Sequence, residues 1–167
     1  MQLTHFSNYA MRTLMYCALR RGGLCRVREI AEAYGVSEHH LMKVVQVLGH
    51  IGVVETVRGR GGGIRLAREP HEIVVGEVLR ATEGKMQLVE CFDDATSTCP
   101  LTHACRFRRA LERALEAFML VLDGYTLADM VATPEPLARL LHLESDAPPI
   151  ATAWLPAVAS SSPDGRG

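Results

Sequence analysis

Three of the five cysteines in this 167-residue chain fall close together: Cys91, Cys99 and Cys105. Their spacing is C-x7-C-x5-C, with Pro100 directly after the second. Thiolates are the ligands of iron–sulfur clusters and of structural zinc. Zinc sites usually show tighter cysteine pairs and four protein ligands. The wide gaps here suit a larger object, touched at separate iron corners. Three thiolates leave a four-iron cube one ligand short, and an open corner makes such a cube reactive or prone to lose iron. Incidental thiols and a zinc- or thiol-based structural interaction module remain alternatives. A cysteine enzyme is disfavoured. His103 is near, but no oxyanion hole or orienting acid is identifiable, so no catalytic residue is assigned. Of the other two cysteines, Cys17 is expected on the apolar face of the first helix, as a core thiol. Cys25 falls in a connection and is expected to be an exposed free thiol.

A second group of residues could read DNA. His39, Lys43 and Gln46 follow steps of four and three, which places them on one side of a helix, and His40 sits in its first turn. Gln can bond adenine bidentately and Lys can reach guanine acceptors. Downstream, Arg58 and Arg60 are interleaved with glycines at 59, 61, 62 and 63. Glycines let a backbone approach a phosphate or a narrow minor groove, and arginines bring the charge. Arg12, Arg26 and Arg28 are further phosphate candidates. The glycine run is not a nucleotide loop: GxxxxGK[ST] is absent, and the run does not lead from a strand into a helix.

The elements that must hold these residues can be read from periodicity. Phe6, Ala10, Leu14, Cys17 and Ala18 predict a helix from about Ser7 to Arg20, ended by Gly22 and Gly23. A short helix follows from Val27 to Tyr34, with a turn at Gly35. Ser37 is the expected N-cap of a third helix, whose apolar stripe is Leu41, Val44, Val45 and Leu48. Val53 to Val57 and Ile64 to Ala67 read as a hairpin around the glycine-rich tip. Val75 to Thr82 predicts another helix, closed by Gly84. From Cys105 to Tyr125 the series Phe107, Leu111, Ala114, Phe118, Val121, Tyr125 has heptad spacing, widened by Leu115 and Leu122. One face of that helix is expected on its own domain and the other on a second subunit. Short helices are expected from Thr126 to Val131 and over 135–143.

The expected fold is therefore mainly α with a small β-hairpin wing. A winged helix-turn-helix covers residues 1–69, a helix and cluster-binding loop 70–104, and a dimerisation helix with short C-terminal helices 105–143. A disordered tail is expected over 144–167, rich in Pro, Ala, Ser and Gly despite Trp154. Charge divides along the same line. Residues 1–68 carry ten Lys/Arg against four Glu, whereas residues 69–167 carry eight Lys/Arg against fifteen Asp/Glu. A basic half facing a polyanion and an acidic half with another task fit this asymmetry. No apolar run is long enough to span a membrane, and no signal peptide is recognisable. A cytoplasmic protein is expected, in which an odd cysteine count argues against a disulfide framework.

Five segments, namely NYAMRTLMYCA (8–18), EIAEAYGVSEHHLMKVVQVL (29–48), VETVRGRGGGIRL (54–66), ECFDDATSTCPL (90–101) and LDGYTLADMV (122–131), resemble the iron–sulfur winged-helix repressors that include NsrR and IscR. The resemblance covers roughly residues 1–143 and is drawn to the rhizobial iron-regulator branch, RirA. It implies a homodimeric repressor of double-stranded DNA, with a 4Fe–4S cluster on Cys91, Cys99 and Cys105. In the iron-regulator branch the loaded protein represses iron-uptake genes, and degradation toward 2Fe–2S or loss of the cluster relieves repression. Nitric oxide or redox sensing is the alternative signal in the NsrR type. That type carries an Asp in the first-helix motif where Asn8 stands here, and the IscR type a His where Arg108 stands. The fourth ligand is thus left open among Asn8, His103, Asp93, Asp94, a small thiol and water.

Overall fold

The structure, a computed structural model of the chain, describes residues 2–20 and 22–143. The expected tail over 144–167 lies outside the described residues. Seven α-helices and one hairpin are described. They are α1 (His5–Leu19), α2 (Val27–Tyr34), α3 (Glu38–His50), β1 (Val54–Val57), β2 (Gly63–Leu66), α4 (Val75–Glu83), α5 (Arg106–Asp123), α6 (Leu127–Met130) and α7 (Pro134–Leu140). Single 3-10 turns stand at Pro70–Glu72 and Glu90–Phe92. This is the predicted mainly α fold with a β-hairpin wing.

Local chemistry sets the boundaries. The Thr4 hydroxyl accepts the Ser7 N–H at 3.3 Å and starts α1. Gly35 closes α2 in the left-handed conformation at φ 62°, and the next amide, Val36 N–H, donates to the Ala31 carbonyl at 3.0 Å. Ser37 occupies the N-cap position of α3 as expected, but its side chain makes no capping bond. The long helix begins one residue later than the spacing suggests, because Cys105 is its cap: the thiol accepts the Arg108 N–H at 3.4 Å. Thr126 and Asp129 form a reciprocal capping box at α6.

The main core forms around α1. Ala10, Leu14 and Cys17 pack with Ile30 of α2, Leu41, Val44 and Leu48 of α3, and Ile64 of β2. The same core takes in Val78 of α4, Leu127 of α6, Val131 and Leu143, so the C-terminal helices close over the helix-turn-helix unit. Each fully buried leucine contributes about 2 kcal/mol of transfer free energy. A second, smaller core joins Val75 and Leu79 of α4 to Met119 of α5.

The wing is antiparallel, with Val54 opposite Leu66 and Val57 opposite Gly63. Cys25 corrects one expectation. Its thiol is buried, not exposed, because its backbone forms a bridge to Ile64 with two bonds of 2.8 Å. The α1–α2 connection is thereby a one-residue third strand that moors the wing. Gly63 permits this approach: a Cβ there would lie 2.6 Å from the Cys25 carbonyl oxygen.

Candidate nucleic-acid interface and metal centre

The apolar stripe of α3 is buried as predicted, which turns the opposite side of the helix outward. His39, His40, Lys43 and Gln46 are all exposed. The two imidazoles are neighbours, with ring centroids 6.3 Å apart. Met42, 47% exposed, shares this surface and adds an apolar contact that charge-based reading passed over.

At the wing tip, Gly59 and Gly61 take φ of 105° and 86°, a region that side chains rarely adopt. The Gly62 N–H donates to the Gly59 carbonyl at 2.9 Å and tightens the turn. Arg58 and Arg60 are exposed there and form no ion pair among the described residues. The other cations of the basic half are more committed. Arg65 pairs with Glu55 across the hairpin, and Arg68 holds Glu77 through both carboxylate oxygens at 3.0 Å. Arg28, expected to be available to a phosphate, is exposed but bonded to Glu32 at 2.8 Å. Arg26 is exposed at the start of α2. Arg12 is half-buried, its guanidinium 5.5 Å above the Tyr34 ring. Burial pushes the Tyr34 hydroxyl up to about 12, so the ring stays neutral beneath that cation. Arg12 shares a hollow with Asn8, His5 and Tyr9 on the outer side of α1, and Asn8 is exposed there.

The three clustered cysteines follow α4. Cys91 sits on the 3-10 turn, Cys99 in an irregular turn, and Cys105 at the N-cap of α5. All three are part-exposed and free of disulfides. Their donor chemistry fits an iron–sulfur cluster: thiols on one stretch of chain, outside the core, with no competing bridge. In the conformation described they are not drawn together. Among the described residues no group of three His, Cys, Asp or Glu side chains is close enough to hold a metal ion. The segment between α4 and α5 would have to close to bring the thiols onto one centre.

Two of the residues considered for a fourth ligand are engaged. Asp94 accepts from Arg108 at 2.7 Å, and Asp93 caps the Ala95 N–H at 3.1 Å. His103 and Asn8 are exposed. Cys17 is in the core, as the spacing predicts. Hydrogen bonding to Cys25 and burial both push its thiol well up, which keeps it protonated and unsuited to ligation.

Sequence reading missed the junction between α4 and α1. The Glu83 carboxylate accepts from the Thr4 amide at 2.8 Å and the Thr4 hydroxyl at 3.0 Å. Beside it, the Ser7 hydroxyl donates to the Thr82 hydroxyl at 2.7 Å. Gly84 follows at once and opens the cysteine segment. These polar partners lie 75 and 79 residues apart, and no local pattern links them.

Comparison with known proteins agrees with this geometry. The family profile described as "Rrf2: Iron-dependent Transcriptional regulator" matches residues 3–133. The HTH-type transcriptional regulator NsrR of Geobacillus kaustophilus (strain HTA426) is 51% identical over 142 residues, covering 84% of this chain and 97% of that protein. Protein aau3 of Rhizobium meliloti (strain 1021) is 46% identical over 153 residues, covering 92% and 99%. Among solved structures, T. potens IscR superposes with a TM-score of 0.65 at 30% identity, over 82% of this chain and 90% of that one.

Proposed function

The chain belongs to the Rrf2 family of transcriptional regulators, and from that premise we propose that it is a homodimeric, iron-responsive repressor acting through a labile iron–sulfur cluster on Cys91, Cys99 and Cys105. His39, His40, Lys43 and Gln46 read the major groove, Arg58 and Arg60 enter the minor groove, and Arg12, Arg26 and Arg28 approach phosphates. Engagement of Arg28 would require release of Glu32. The observation that carries the reading is the position of the cysteine segment. It leaves α4 directly beyond the Glu83–Thr4 contact to the DNA-reading unit and ends as the cap of α5.

When bound, an iron–sulfur cluster supplies a cross-link that iron supply, oxygen or nitric oxide can undo. The three thiols then hold the α4–α5 segment closed. The outward residues Phe107, Leu120 and Val121 of α5, with Tyr125 just beyond its end, support a helix-to-helix dimer. Two recognition helices must match groove faces about 34 Å apart. Opening of the segment loosens α4 and α5 together and spoils that match. A change of about 3 kcal/mol in the relative preference would shift occupancy by about two decades.

Iron is the proposed signal because Asn8 replaces a carboxylate. A neutral amide is the poorer iron ligand, so the centre gives up iron readily, and the genes controlled are those of iron uptake. A second reading, nitric oxide sensing, is favoured by the identity to proteins named NsrR. One experiment separates them. Anaerobically purified protein is shifted on upstream DNA of iron-uptake genes, with chelator or with a nitric oxide donor. Release by chelator alone supports iron sensing. Release by stoichiometric nitric oxide, with chelator inert, supports the second reading. A colourless, zinc-loaded protein that binds no DNA would overturn both. Cys91→Ala, Cys99→Ala and Cys105→Ala are each expected to lower the affinity of the loaded protein to that of the metal-free form. Full affinity in all three would show that the cysteines are not the switch.

A further inference from the structure

Arg108 is the one side chain of α5 bonded to both segments between the cysteines. Its Nη1 donates to Asp94, which lies between Cys91 and Cys99, at 2.7 Å. The same nitrogen reaches the carbonyl of Thr102, which lies between Cys99 and Cys105, at 3.4 Å. Nε donates to Glu112 one turn along at 2.8 Å, which fixes the guanidinium on the helix. The Arg108 N–H itself donates to the Cys105 thiol. Although the Asp94 side chain is 62% exposed, that of Arg108 is only 16% exposed.

The second anchor is well made. Thr102 is buried, and its hydroxyl pairs with Ser97 at 2.8 Å and donates to the Cys99 carbonyl at 2.7 Å. The Cys99 N–H points back to Ser97 at 3.4 Å. Holding Thr102 therefore holds the backbone on both sides of Cys99. A planar guanidinium suits this task, since its fixed fork addresses several oxygens at once, which an ammonium does not.

We propose that Arg108 is a positioning residue for the cysteine segment, a clasp that keeps the Cys91–Cys99 and Cys99–Cys105 stretches against the first turn of α5 before any metal arrives. It touches none of the thiols through its side chain and is not a ligand. By restraining the open segment, it limits the closure that the three thiols must accomplish and slows the segment's escape. The last point rests on the cluster reading above. The restraint of the metal-free segment does not.

The test uses full-length protein in four forms: wild type, Arg108→Ala, Arg108→Lys and Asp94→Asn. Alkylation rates of Cys91 and Cys99 are read by peptide mass spectrometry on reduced, metal-free protein. Visible circular dichroism is read after anaerobic reconstitution with iron and sulfide. Arg108→Ala is expected to speed alkylation by about fivefold, the upper end for a part-exposed ion pair. Asp94→Asn should move in the same direction, and Arg108→Lys should restore part of the protection. The reconstituted Arg108→Ala protein should show an altered visible band shape, with Arg108→Lys intermediate and thermal melting little changed. Equal alkylation rates in all four forms would overturn the clasp. If Arg108→Ala does not fold, Asp94→Asn decides the same comparison. A wild-type protein that takes up no iron would overturn the cluster reading, while the alkylation rates would still decide the clasp.

Discussion

Glu83 shows how much can rest on one carboxylate. Burial alone would raise its carboxyl, but the polar groups of Ser7 and Thr4 around it, with two hydrogen bonds from Thr4, outweigh that and hold it below its ordinary value. A folded value below the unfolded one means that its contribution to stability is complete above the unfolded value. That contribution is lost as the pH falls through the folded one. Glu83→Gln should therefore melt below wild type at neutral pH, with the gap closing under acid conditions. Melting curves from about pH 7 down to about pH 3 test this, and a gap independent of pH would refute the contact's ionic character. At the wing, Arg58→Ala and Arg60→Ala should weaken DNA binding across sequences. Each should lower the slope of log affinity against log salt by about 1. Gel shifts at several salt concentrations would measure it, and an unchanged slope would place those arginines away from the DNA.

Among the elements, α1 to α3 and the wing were legible in advance because each has one buried face and a period to match. The exposed residues of α3 that are proposed to face DNA could be placed for the same reason: once Leu41, Val44, Val45 and Leu48 turn inward, the other side is fixed. The partners of Cys25 and Glu83 were not, since a one-residue bridge and a contact across 79 residues leave no periodic trace. The heptad of α5 resolved into two roles. Leu111, Leu115, Phe118 and Leu122 are partly covered, whereas Phe107, Ala114, Val121 and Tyr125 face outward. At the far end of α5, Asp123 receives Arg80 of α4 through both oxygens at 2.7 and 2.5 Å. Gly76 makes room for this pair, because a Cβ there would collide with the Asp123 carboxylate. Gly76→Ala should separate α4 from α5 and lower the melting temperature, although alanine is the better helix former. A rise in melting temperature would show that the junction yields without cost.

The whole molecule divides its charge as it divides its structure. The wing and the outer side of α3 carry cations toward solvent, while the acidic residues collect beyond Arg68. Among the described residues no helix is long and apolar enough to cross a membrane. The uncovered apolar side of α5 is where the proposed dimer would meet. Val121→Glu should convert a dimer to monomer in sedimentation and weaken DNA binding while leaving the main core intact, because Val121 is 59% exposed in the single chain. A dimer that survives would put the interface elsewhere. The Arg80–Asp123 junction, together with the Val75 N–H bond to the Tyr125 carbonyl at 2.9 Å, also makes the end of α5 distant from the cysteines a fulcrum. The 18 residues of α5 form a rigid arm about 27 Å long. A tilt of roughly 5° about that fulcrum would carry the Cys105 end through about 2 Å. A modest rearrangement among three thiols would thus be transmitted along α5 as a tilt of the whole helix, with no need for any helix to unfold.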